Sequence, residues 1–192
     1  MTAPATLAGQ RERILDAALG LMADQGASGT SMRQLAAACG VNVATLYHYF
    51  PSKADLLRSV IEERQYHVLL RQAPIPDMAA PPRERLVGLM MAMWEGSLEE
   101  ERIWRVLLIE SFRGDATALA VGADLLSTIE AAMVGWFTEL FPELRADPAA
   151  NARVVVGQLY ALIVENLYRP EPERHDHALQ RAADLARLLL PD

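Results

Sequence analysis

Residues Thr30–Leu57 read TSMRQLAAACGVNVATLYHYFPSKADLL, two short helical patterns that meet at the turn Cys39-Gly40-Val41. Ser31 suits the N-cap of the first pattern, and Gln34, three residues on, is the reciprocal half of a capping box. Met32, Leu35, Ala36 and Cys39 recur at helical spacing and form its core face. Gly40 can adopt the positive φ that ends such a helix, and Asn42 can cap the next. The second pattern, roughly Val43–Phe50, sends Leu46 and Phe50 inward and leaves Ala44, Thr45, Tyr47 and His48 outside. Pro51 stops it and Ser52 caps a third helix. Two helices around a glycine turn, the second short, polar and aromatic outside, predict a helix-turn-helix that reads DNA.

The same residues resemble the N-terminal domain of the TetR family of bacterial transcriptional repressors. That family's pattern runs Gly-Val, a small polar cap, then Thr-Leu-Tyr-x-x-Phe-x-x-Lys-x-x-Leu. Here it falls on Gly40, Val41, Asn42, Thr45, Leu46, Tyr47, Phe50, Lys53, Leu56 and Leu57. Asn42 stands where Ser is usual, and caps equally well. A first helix agrees with the likeness: Ile14, Leu15, Ala18, Leu21 and Met22 share one face, with Gly26 beyond its end. The strong match covers about a quarter of the chain. By this resemblance Val43, Ala44 and Tyr47 approach bases, while Ser31, Thr45, His48, Tyr49 and Lys53 hold phosphates. Arg33, on the first helix of the motif, can reach a guanine edge.

Lys53 carries an argument of its own. It is the single lysine beside 17 arginines, and it sits in a helix's first turn, where the macrodipole disfavours a cation. A phosphate opposite would account for it. Arg11 and Arg13 offer further phosphate contacts, and the tail before Gln10 has no basic residue to serve as a minor-groove arm.

Charge divides along the chain. The net −7 splits into +1 for residues 1–72 and −8 for residues 73–192. The acidic surplus therefore belongs to the second part, where it repels DNA and aids solubility. A content of 52% hydrophobic and 22% charged residues excludes a largely disordered chain. The longest charge-free apolar helical run, Val154–Val164, is short of the ~20 residues of a membrane span. The first ten residues lack a signal peptide's basic and apolar regions, and one cysteine, Cys39, fits a reducing compartment. A cytoplasmic location is expected.

Prolines at 51, 81, 82, 142, 148, 170 and 172 mark helix ends, and no stretch alternates as a strand would. The expectation is an all-α chain of about nine helices. Residues 1–57 form the DNA-binding domain, helix 4 continues to about 72 as a link, and 73–192 form a ligand-binding and dimerisation domain. The helix predicted from Pro148 to Tyr168 is apolar all round, which implies burial on both sides. With the leucines near the C-terminus it predicts a two-fold four-helix interface through Val155, Leu159, Leu162, Leu185 and Leu189.

Met90, Met93, Trp94, Trp104, Phe112, Met133, Trp136, Phe137 and Tyr160, with Glu110 and Asn166 among them, are the candidate lining of an effector pocket. The resemblance places an inducer site among the helices expected between about Pro82 and Tyr168. An apolar or aromatic effector, neutral or cationic, is expected, with Glu110 or Glu165 as counter-charge. Glu173, His175, Asp176 and His177 read as polar residues of a helix start rather than metal ligands. No phosphate loop, nucleophile elbow or metalloprotease motif is present, so neither a cofactor nor catalysis is expected. The expected function is a homodimeric repressor that leaves a palindromic operator when a small molecule binds. Two alternatives stand beside it: an activator or protein-controlled regulator of the same fold, and a helical enzyme or carrier with a vestigial DNA motif.

Overall fold

The computed structural model describes residues 7–27, 29–63, 76–99, 101–144 and 147–190. Among them nine α-helices follow one another: α1 Leu7–Gln25, α2 Met32–Ala38, α3 Val43–Tyr49, α4 Lys53–Glu63, α5 Pro82–Glu99, α6 Glu101–Phe112, α7 Ala116–Leu140, α8 Pro148–Asn166 and α9 Glu171–Leu189. The expected continuation of α4 beyond Glu63 to about residue 72, and residues 73–75 after it, lie outside the described residues. Two compact units emerge, one of residues 7–63 with 101–124, the other of 76–99 with 125–190. Residues 101–124 thus pack with the helix-turn-helix, although they lie within the stretch expected to form the second domain.

In the first unit the local chemistry read from the sequence is in place. Ser31 and Gln34 form the capping box of α2. That helix ends in a Schellman turn: Val41 N–H donates to the Ala36 carbonyl at 3.0 Å and Gly40 N–H to that of Ala37 at 3.2 Å. Gly40 supplies the required positive φ, +65°. Asn42 then accepts from Thr45 N–H at 2.7 Å to open α3. Leu35, Leu46, Phe50 and Leu56 are fully buried together with Ile14, Ala18 and Met22 of α1. Leu19 and Ala23 complete that face of α1, while Leu21 is only half-buried. Helix α6 packs on α1 through a face that includes Ile103, Val106 and Leu107.

The second unit is built on α5, which packs against both α8 and α9. Arg83 Nε donates to the Leu190 carbonyl, joining the start of α5 to the end of α9. Leu86, Leu89 and Met90 of α5, Phe137 and Phe141, and Val155 and Leu162 of α8 are buried in this unit. Asp147 caps α8 with Pro148 at its first turn, as the Asp-Pro pair predicts. Helix α9 begins earlier than His175, at Glu171, whose carboxylate and that of Glu173 favour a helix start.

One expectation needs correcting. Helix α7 has 25 residues and a mean hydropathy of 1.4 over its most apolar stretch, enough by length and composition to span a membrane. Counting charge-free runs missed it because Asp124 and Glu130 divide it. Those two mid-helix carboxylates would be costly in hydrocarbon.

Candidate nucleic-acid interface

The recognition helix is held from behind. Leu46 and Phe50 anchor α3 in the core, and the Arg11 guanidinium lies 4.5 Å from the Phe50 ring centroid. Arg11 also donates to Ser59 Oγ at 3.3 Å, so it serves the fold, not the outer surface where a phosphate would meet it. Tyr49 Oη lies 3.2 Å from Gln10 Oε1 and donates to it, tying α3 to α1. None of these three contacts was legible in the sequence, because each joins residues 39 to 48 apart.

In front, the helix is open. Ala44, Tyr47 and His48 are exposed, with Tyr47 at 48%, and Val43, Thr45 and Tyr49 are half-buried. Arg33 is exposed on α2. The Ser31 hydroxyl is exposed but occupied, accepting from Gln34 N–H at 3.2 Å and donating to Gln34 Oε1 at 2.7 Å. Lys53 is placed differently from the expectation of a free ammonium. Its Nζ donates to the carbonyls of Ala27 at 2.8 Å and Thr30 at 3.3 Å, which leaves one of three protons for a phosphate. The helix-start lysine thus satisfies carbonyls of the α1–α2 turn. The Cys39 thiol, half-buried under α2, is pushed up by desolvation and stays protonated.

The candidate pocket residues divide between the units. Trp104, Glu110 and Phe112 belong to the first; Met90, Met93, Trp94, Met133, Trp136, Phe137, Tyr160 and Asn166 belong to the second. Phe112 is 88% exposed and lines no interior of its unit. Glu110 is 1% exposed but already engaged: it accepts from Ala27 N–H at 2.9 Å and Arg113 Nη1 at 2.8 Å. Gly26, with φ +77°, turns the chain so that Ala27 can reach this carboxylate. Glu165 is likewise engaged, with His177 Nε2 at 2.6 Å and Arg181 Nη2 at 3.3 Å. Neither acid serves as the spare counter-charge expected for a cationic effector. Met90, Trp94, Met133, Phe137 and Asn166 are buried, and Met93, Trp136 and Tyr160 half-buried; burial pushes the Tyr160 hydroxyl up.

The expected interface residues also need reassignment. Val155, Leu159, Leu162 and Leu185 are buried in their own unit, and Leu189 is half-buried. A side chain already covered by its own chain has no surface left for a partner. Exposed apolar positions nearby are Val154 on α8, Leu167 and Tyr168 just beyond its end, and Leu179 and Leu188 on α9.

A capped seven-residue helix, anchored by two core residues and presenting a polar and aromatic outer side after a Schellman turn, defines a helix-turn-helix protein. The sequence model of the bacterial regulatory proteins of the TetR family matches residues 14–60. The transcriptional repressor KstR of Rhodococcus jostii is 30% identical over 148 residues, 76% of this chain and 67% of that protein. The repressor KstR2 of Mycolicibacterium smegmatis is 34% identical over 92 residues, 48% of this chain and only 45% of its own length. A TetR-family transcriptional regulator from Pectobacterium atrosepticum is 25% identical and superposes with a TM-score of 0.69 over 97% of this chain and 98% of its own. Salmonella enterica GusR, 24% identical, shares the fold with a TM-score of 0.75 over 100% and 99% of the two chains. The chain belongs to the TetR family.

Proposed function

We propose that this protein is a transcriptional repressor that binds a palindromic operator as a homodimer and releases it when a small apolar or aromatic effector binds. The observation that carries the DNA-binding part is α3 itself: held by Leu46, Phe50, Arg11 and Gln10, it offers Ala44, Tyr47 and His48 to a groove. Val43, Ala44 and Tyr47 meet base edges and thymine methyls; Ser31, Thr45, His48, Tyr49 and Lys53 hold phosphates; Arg33 reads guanine. The repressors among the relatives support the sign of regulation.

The dimer is supported by a row along α8 and the turn that follows it. Val154, Gly157, Ala161, Val164 and Tyr168 follow each other three and four residues apart and range from exposed to half-buried. Small and apolar side chains at that spacing suit a second helix at close range. The effector part is supported by the aromatic and methionine residues buried in the second unit, among them Trp94, Met133 and Phe137.

The test uses DNA from upstream of the gene and random duplex of equal length. Lys53→Ala weakens both equally and lowers the salt slope by about one per subunit. Arg33→Ala costs on the order of 1–3 kcal/mol on the specific duplex alone. Equal losses on both duplexes in both variants would refute this division of roles, and salt-independent binding would refute DNA recognition altogether.

A further inference from the structure

Asn166, the last residue of α8, is 4% exposed, and neither its amide nitrogen nor its amide oxygen has a hydrogen-bond partner among the described residues. Trp94 on α5 is 3% exposed and its indole N–H is likewise unpartnered. Gln158, two turns before Asn166 on α8, has a buried side-chain nitrogen in the same condition. Buried polar groups left unmet are costly, and native proteins retain few of them without a reason.

Two of the three lie at the same end of the second unit. Arg83 joins the start of α5 to the end of α9, so these helices run antiparallel, and the Trp94 ring stands 6.1 Å from that of His175 in the first turns of α9. A short turn after Asn166 leads directly into α9, so Asn166 and Trp94 both lie at the α8–α9 corner. That corner is fastened by Glu165 to His177 and Arg181.

The unmet groups have a chemical sense. Indole N–H and two amide NH2 groups are donors; the Asn166 oxygen is the single acceptor. Their complement is a carbonyl oxygen, joined where possible to a hydroxyl or N–H that satisfies the Asn166 oxygen. Charge is not called for. The Nε atoms of Arg85, Arg169 and Arg181 are buried and unpartnered as well. Each guanidinium already faces a carboxylate, however, that of Glu143, Glu173 and Glu165 respectively, so they add N–H donors and no unpaired charge. We infer that the second unit takes an uncharged, largely apolar ligand through a carbonyl oxygen that accepts hydrogen bonds from Asn166 and Trp94. This rests on the reading of that unit as an effector site and specifies the effector's class.

Four probes on one skeleton test it: 2-acetylnaphthalene, 2-ethylnaphthalene, 2-naphthoate and protonated 2-(aminomethyl)naphthalene, titrated calorimetrically into the full chain. The ketone should bind about tenfold tighter than the hydrocarbon, the value of one good hydrogen bond. Asn166→Leu should abolish that advantage and raise the melting temperature of the ligand-free protein, because it removes an unmet amide. Trp94→Phe, which removes the N–H together with part of the ring, should narrow the advantage of the ketone over the hydrocarbon while the protein stays folded. Tighter binding of the carboxylate, the cation or the hydrocarbon overturns the inference, as does no binding by any probe. So does a lower melting temperature for Asn166→Leu, which would show the amide already satisfied in the free protein. Salt-dependent binding of duplex DNA is measured alongside. If it persists while the ketone shows no advantage, the ligand class fails and the repressor reading stands.

Discussion

Arg85 is a buried cation whose environment sets a pH dependence. Its guanidinium lies against the Phe141 ring, 5.6 Å from carbon to centroid, and pairs with Glu143 at 2.5 Å. The Glu143 carboxyl is held below its ordinary range, first by a backbone hydrogen bond of its own residue and then by Arg85. A depressed carboxylate contributes stability above its unfolded pKa and loses it as pH falls through the folded value. Glu143→Gln should therefore destabilise the protein at neutral pH, by about 1 kcal/mol or less because the carboxylate is more than a third exposed. The difference from the wild type should shrink below about pH 4.3, the ordinary glutamate value, and vanish below the depressed one. Urea denaturation between pH 7 and pH 3 checks this. A difference that grows on acidification would show that the carboxylate is not what stabilises Arg85.

At the scale of single elements, two glycines separate backbone strain from steric contact. Gly40 ends α2 with φ +65° and has open space where a Cβ would sit. Gly26 ends the first helix's turn with φ +77°, and a Cβ there would lie 2.3 Å from Arg113 Nη1 and 3.2 Å from Glu110 Oε1. Gly40→Ala should cost only the left-handed conformation, about 1–2 kcal/mol. Gly26→Ala should cost more, since Arg113 must also leave Glu110, and Arg113→Ala should reduce that excess. Chemical denaturation of the single and double variants measures the coupling; strict additivity would mean that Arg113 yields freely. Caps, turns and the α2–α3 pair were legible from residues alone because their hydrogen bonds span three to five positions. The tie between Glu110 and Ala27 was not, since it spans 83 residues. Glu110 stands in an apolar helix face, and a buried acid there reads equally well as a ligand contact. Lys53 was singled out for the right reason, an unfavourable helix-start cation, but the carbonyls it serves belong to a turn 23 and 26 residues earlier.

For the molecule as a whole, weak charge in the DNA-reading half makes assembly decisive. Residues 1–72 carry only +1, so one helix-turn-helix has few phosphates to hold, and two linked ones gain from effective concentration. The apolar circumference of α8 was read as facing two ways, but which of its positions the chain's own unit covers was not legible, because periodicity is blind where apolar residues surround the helix. Burial decides it. Val155 is 0% exposed in its own unit and Val154 is 48% exposed. Val154→Arg should therefore place a charge in water in the single chain, leave the fold intact and disrupt a two-fold contact along α8. Val155→Arg should unfold the second unit. Sedimentation should find the Val154 variant monomeric, with helicity kept and affinity for a palindromic duplex reduced at least about a hundredfold, while a single half-site is bound as weakly as before. A Val154→Arg protein that remains a dimer moves the interface away from this row. A wild-type chain that sediments as a monomer at micromolar concentration ends the dimer proposal, and with it the palindromic operator.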